Sequence, residues 1–143
     1  MKVLIDTNVI IDVLQNREPW CDAGKKIFLA IANKEITGCL TAKEVTDIHF
    51  ISHRQFKGSS KIDSVCREII SKLLKVFEVL DTLGSDCYNA LAIENNNYED
   101  AVMLSTALRS EVDYIVTRDA EHYNSSPIPV YTPEVFVINE LGN

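Results

Sequence analysis

Short apolar runs alternate along this chain with longer stretches of helical periodicity, and that alternation leaves few folds open. Val3 to Ile5, Ile36 to Leu40, Val76 to Leu80, Tyr114 to Thr117 and Pro129 to Tyr131 are bounded by polar residues and read as buried strands. Helical spacing marks Asn8 to Leu14, a stretch from Cys21 to Glu35, Thr41 to Arg54, Lys61 to Lys75, Asp86 to Glu94 and Tyr98 to Val112. The order βααβααβααβ, with a weak last strand, predicts an α/β fold: a three-layer α/β/α sandwich around a central parallel sheet of four to five strands. Arg54 to Lys61 reads as a loop between helices, so residues 1–143 are expected to form one domain, long enough to bury a core without a metal or disulfide.

Several function classes are disfavoured at once. No segment has the roughly 20 apolar residues that cross a bilayer, and MKVLID lacks the apolar stretch of a signal peptide, so a cytoplasmic protein with no membrane partner is expected. Cys21, Cys39, Cys66 and Cys87 form no C-x-x-C pair and read as small buried residues. A formal net charge of -7 argues against a basic coat that holds nucleic acid passively, but not against a nucleic-acid enzyme whose carboxylates hold cations.

Ligands of open α/β sheets bind outside the carboxyl ends of the strands, and four acids fall there. Asp6 ends the first strand; it can cap the next helix, but Asn8 can do so equally well. Asp119 ends YIVTRD in the same way, where a turn Asp is the plain alternative. In LTAKEVTDIHF, Thr41 and Glu44 fit a capping box, which gives Glu44 a structural role. Asp47 lies about 40° from Ile51 on the helical wheel, bordering the Val45, Ile48 and Ile51 stripe with no capping role. Asp100 shares a face with Leu104, Ala107 and Leu108, while Glu99 points into solvent; Asn97 and Asp100 also fit a capping pair. Carboxylates gathered at one edge repel one another, and a divalent cation relieves the conflict. An all-oxygen set suits Mg²⁺ or Mn²⁺ rather than zinc.

Strand-DTN at Asp6, an acid six residues after the Thr that follows the second strand, the EDAVML helix start at Asp100 and strand-TRD together resemble the PIN-domain nucleases. The resemblance runs from Met1 to about Tyr131. It implies an α/β/α sandwich and Mg²⁺- or Mn²⁺-dependent hydrolysis of single-stranded RNA or flap-like nucleic acid. By position, Asp6, Asp47, Asp100 and Asp119 are the implied catalytic and metal-ligating acids, and Thr7, Asn8 and Thr117 the polar positions beside them. The family position at Asp47 is more often Glu, so the shorter Asp reaches a metal through water. VapC-type toxins within the family imply a cognate antitoxin as partner; a homodimer is a further candidate assembly.

Other features have plainer readings. Arg118, next to Asp119, is a candidate substrate contact at the proposed active edge. His49 and His53 stand at i,i+4, but without the Glu of H-E-x-x-H or a third ligand they read as ordinary imidazoles; His122 reads as a loop histidine. Arg54, Lys57 and Lys61 with Phe56 read as a solvated loop before an RNA surface. Trp20, Ile27, Phe28 and Leu29 read as core before a partner groove. Two other function classes stand beside the nuclease: a PIN-like module that binds RNA or protein without cutting, and an aspartyl-phosphate domain. DTNV lacks the second Asp of a D-x-D phosphatase, which weighs against the latter.

Overall fold

The computed structural model describes residues 1–95 and 97–142. The elements are β1 (Lys2–Ile5), α1 (Thr7–Leu14), α2 (Cys21–Ala32), β2 (Thr37–Thr41), α3 (Ala42–Gln55), α4 (Ile62–Val76), β3 (Glu78–Leu80), α5 (Gly84–Ala90), α6 (Tyr98–Arg109), β4 (Tyr114–Val116), a 3-10 turn (Ala120–Tyr123), β5 (Val130–Tyr131) and α7 (Pro133–Glu140). The strands form one parallel sheet in the order β3-β2-β1-β4-β5. None of the described helices is long and apolar enough to cross a membrane.

The central strand shows why the sheet must be covered twice. Val3, Leu4 and Ile5 are all fully buried, and alternate residues of a strand face opposite ways. Val3 and Ile5 enter a core with Val9, Ile27, Ile48, Leu73 and Phe136, drawn from α1, α2, α3, α4 and α7. Leu4 enters a second core with Met103, Leu104, Ala107 and Tyr123, supplied by α6 and the 3-10 turn. Each such side chain contributes about 1.5–3 kcal/mol by leaving water.

The α/β class, the parallel sheet and the three layers are as expected, and the boundaries differ in instructive places. Helix α7 was absent from the sequence expectation, although Thr132 caps it through the Val135 N–H and Pro133 opens it. Helix α5 ends at Ala90 instead of running to Glu94, and α6 ends at Arg109. Cys21, Cys39 and Cys66 are buried, but Cys87 is exposed because α5 packs on α6 with its other side in water. Trp20 and Leu29, expected in the core, are also exposed.

A buried carboxylate ties α5 to α6. Asp86, with no exposed surface, accepts hydrogen bonds from the Leu83 N–H at 2.8 Å, the Ser105 and Thr106 hydroxyls at 3.0 Å each, and Arg109 Nη2 at 2.9 Å. Burial alone would raise its pKa; the bonds from Arg109, Leu83, Thr106 and Ser105 outweigh it and hold the carboxyl at about 2. The folded value lies below the ordinary 3.8, so ionised Asp86 stabilises the fold above pH 4 and that contribution disappears as pH falls from 4 towards 2. Asp86→Ala is expected to lower stability at pH 7 by roughly 3 kcal/mol, measured by urea denaturation, with the difference from the parent narrowing on acidification below pH 4.

Candidate active site

The chain runs from β1 outward through β2 and β3, then crosses back to place β4 on the other side of β1. Strand order therefore reverses between β1 and β4, the position where open α/β sheets hold their ligands. Ile5 pairs with Val116, and the Asp6 N–H continues the ladder to the Val116 carbonyl at 2.9 Å. The next residues, Asp6 and Thr117, consequently meet side by side.

Asp6 occupies the N-cap position of α1, yet its side chain makes no capping hydrogen bond. One carboxylate oxygen instead accepts from the Thr117 hydroxyl at 2.7 Å and from Asn8 Nδ2 at 3.4 Å. Asn8 Nδ2 also lies 3.3 Å from Thr117 Oγ1 and 3.3 Å from Asp119 Oδ2, and Asn8 Oδ1 accepts from the Arg118 N–H at 3.3 Å. Thr117 Oγ1 accepts in turn from the Asp119 N–H at 3.1 Å. Thr117 is wholly buried, so it orients Asp6 and Asp119 without facing a substrate itself.

Helix α6 brings Asp100 to the same place. Asn97 caps the helix by accepting from the Asp100 N–H at 3.1 Å, which leaves the Asp100 carboxylate free for the cleft. His122 Nδ1 stands 3.5 Å from Asp100 Oδ2. Burial raises the pKa of Asp100, opposed by the nearby Tyr123 and His122, and Asp119 adds repulsion. Asp6 is pushed up to about 6, chiefly by burial, with Asp100 and Asp119 adding to it and Thr117 opposing it.

Two adjoining clefts share Asp6, Thr7 and Asp100. Asp47 and Glu44 line the first, of about 400 Å³; Asn8, Asp119 and His122 line the second, of about 300 Å³. Asp47 pairs with Lys43 at 2.6 Å and is two-fifths exposed. Glu44 forms the expected capping box with Thr41 and also reaches the site, where its Oε2 accepts from the Thr7 hydroxyl at 3.4 Å. Burial first, then the charge of Asp6, drive the Glu44 pKa well above the carboxylate range. Sequence reasoning gave Glu44 to capping alone; the missed signal was that a box glutamate beside a strand end also borders the sheet edge.

Arg118 has a different setting from the one expected. Its Nε lies 2.7 Å from Oδ2 of buried Asp12, and its guanidinium sits 4.4 Å from the Trp20 ring centroid. The group is therefore already engaged by α1. Asp12, an acid inside the apolar run VIIDVL, was the sequence signal for this partner. His49 and His53 lie in contact at 6.0 Å between ring centroids, His49 beside Asp63.

Oxygen donors at the sheet edge, several driven towards protonation by burial and mutual repulsion, suit a hard divalent cation. The four expected acids nevertheless do not draw together into one tight set. Among the described residues, the three potential ligands whose donor atoms all fall within 4.8 Å of one another are Glu18, Cys21 and Asp22, at the start of α2.

Comparison with known proteins follows this geometry. The family model described as PIN domain matches residues 2–121. A search of curated proteins by sequence finds no match. Among solved structures, FitAcB from Neisseria gonorrhoeae superposes with a TM-score of 0.70 at 17% identity, covering 92% of this chain and 98% of its own. A toxin–antitoxin complex from Klebsiella pneumoniae gives 0.66 at 19% identity, covering 92% and 97%. VapC20 of Mycobacterium tuberculosis, described as a sarcin-ricin loop cleaving toxin, gives 0.64 at 11% identity, covering 86% and 94%.

The raised pKa of Asp6 has a measurable sign. Its folded value lies above 3.8, so the folded state holds a proton that the unfolded state releases; ionised Asp6 opposes folding above pH 6, and the penalty vanishes below about pH 4. In metal-free buffer, Asp6→Asn is expected to raise stability at pH 7.5 on the order of 2 kcal/mol. Thermal melts should show that gain fading as the pH is lowered through 5.

Proposed function

Since the chain belongs to the PIN-domain family, we propose that it is an Mg²⁺- or Mn²⁺-dependent endoribonuclease that hydrolyses phosphodiester bonds of single-stranded RNA. The observation that carries this reading is that Asp6 and Asp119 are joined through the Asn8–Thr117 hydrogen-bond lattice where β1 and β4 end, and that Asp100 lines the same cleft.

Asp6, Asp100 and Asp119 would hold the cation directly, with Asp47 reaching it through water; when bound, the cation orients the scissile phosphate, offsets its developing charge and activates water. Thr117 and Asn8 fix the carboxylates before substrate arrives, so little reorganisation accompanies the reaction. Thr7 and Asn8 border the substrate's place, and Arg118, anchored on Asp12, sets the backbone that carries Asp119. Water attacks phosphorus in line and the 3′ oxygen leaves, giving 5′-phosphate and 3′-hydroxyl ends with no covalent enzyme intermediate. The toxin half of a toxin–antitoxin pair, with a cognate antitoxin as partner, is the biological setting supported by the Klebsiella neighbour; a homodimer and a cytoplasmic location belong to the same reading.

Purified protein is expected to cut a single-stranded RNA with Mn²⁺ or Mg²⁺ and to stop when the metal is chelated. Asp6→Asn and Asp100→Asn should each lower kcat by a hundredfold or more while keeping the far-ultraviolet circular dichroism of the parent. Undiminished cleavage by both variants would overturn the assignment of these acids, and RNA binding without cleavage by the parent would favour the non-cutting module.

A further inference from the structure

The cleft on the α3 side of the site is walled by Asp6, Glu44, Asp47, Glu99 and Asp100, and among the described residues lining it Lys43 is the one cation, while Arg17 lines the adjoining cleft. Lys43 Nζ is held 2.6 Å from Asp47 and 3.9 Å from Glu99, so it spans the gap between α3 and the start of α6. An ammonium carries three protons, and these two acceptors leave capacity for a phosphate oxygen.

The same wall carries Phe50, whose surface is 62% exposed. A single exposed phenyl ring on a protein surface means little. This one lies on α3 three residues beyond Asp47, in the cleft wall, with the Arg54 guanidinium 5.8 Å from its centroid. Ring and guanidinium are both planes on which unpaired bases stack, whereas bases within a duplex have their faces covered.

We propose that Phe50 and Lys43 form a one-nucleotide seat on α3: an unpaired base stacks on Phe50, its phosphate accepts a hydrogen bond from Lys43, and the neighbouring phosphate is thereby set against the acids. The seat rests on the ribonuclease reading and gives it a physical basis for preferring single strands. It also places the substrate's path along α3 from Lys43 to Phe50.

The test uses a fluorescein-labelled single-stranded RNA of about a dozen nucleotides, with binding followed by anisotropy in the non-cutting Asp6→Asn protein and cleavage followed in the otherwise native chain. Phe50→Ala and Phe50→Leu should each weaken binding about tenfold and raise KM with kcat kept, while Phe50→Trp should bind at least as well as the parent. Lys43→Gln should weaken binding and reduce the slope of log affinity against log salt by about 0.7; Lys57→Gln and Lys61→Gln should leave both unchanged. Unaltered binding by Phe50→Ala, equal binding by the Leu and Trp variants, or an unaltered salt slope for Lys43→Gln would overturn the seat while leaving the nuclease standing. A shift in oligomeric state on Phe50→Ala with RNA affinity intact would assign the ring to a protein contact and likewise overturn it. A parent that neither binds nor cuts single-stranded RNA would remove both readings.

Discussion

The parallel pairing of β1 with β4 is the constraint on which the rest of the site depends. Register alone brings Asp6 beside Thr117, and the Thr117 hydroxyl then serves two neighbours, donating to Asp6 and accepting from the Asp119 backbone. Asn8 closes the lattice by spanning Asp6, Thr117 and Asp119. A one-residue slip between these strands would turn Thr117 to the opposite face and separate all of them. The apolar burial of Val3, Leu4 and Ile5 on both faces of β1 is what prevents that slip.

The edge so assembled works against the stability of the fold that holds it. Asp6 and Glu44 are both driven upward in pKa by burial, Glu44 also by the charge of Asp6, and Asp6 also by Asp100 and Asp119. Asp86 shows the opposite arrangement on α5: a carboxylate as buried as Glu44, but one whose oxygens meet Arg109 and three further donors. The contrast separates a carboxylate whose charge is met by donors from carboxylates whose charge is left largely unmet. Such concentrations of unrelieved charge are typical of functional sites.

Much of this was legible from the residues. Five apolar runs found their strands, most plainly Val3 to Ile5, where a strand buried on both faces needs continuous apolar character, and the strand ends carried Asp6 and Asp119. The capping box at Thr41 and Glu44 was likewise visible, since caps are local. What escaped was non-local. Asp12 and Arg118 are over a hundred positions apart, so nothing near Arg118 in the chain reveals that its charge is already taken. Glu44 was assigned one task because its local partner explained it, while its second neighbour, Thr7, arrives from another element. Helix α7 was missed for a different reason: its Thr-Pro start was present, but eight residues give little periodicity to read.

The reach of the Asp12–Arg118 pair bears on how such a chain is made. Asp6 and Asp12 leave the ribosome more than a hundred residues ahead of their partners Thr117 and Arg118. Closure of so long a loop precedes the contacts that Thr117 and Asp119 make with Asp6 and Asn8. The nascent polypeptide therefore carries these carboxylates unassembled until the intervening hundred residues have been made. Only when β4 docks against β1 do Asp6, Asn8, Thr117 and Asp119 come together.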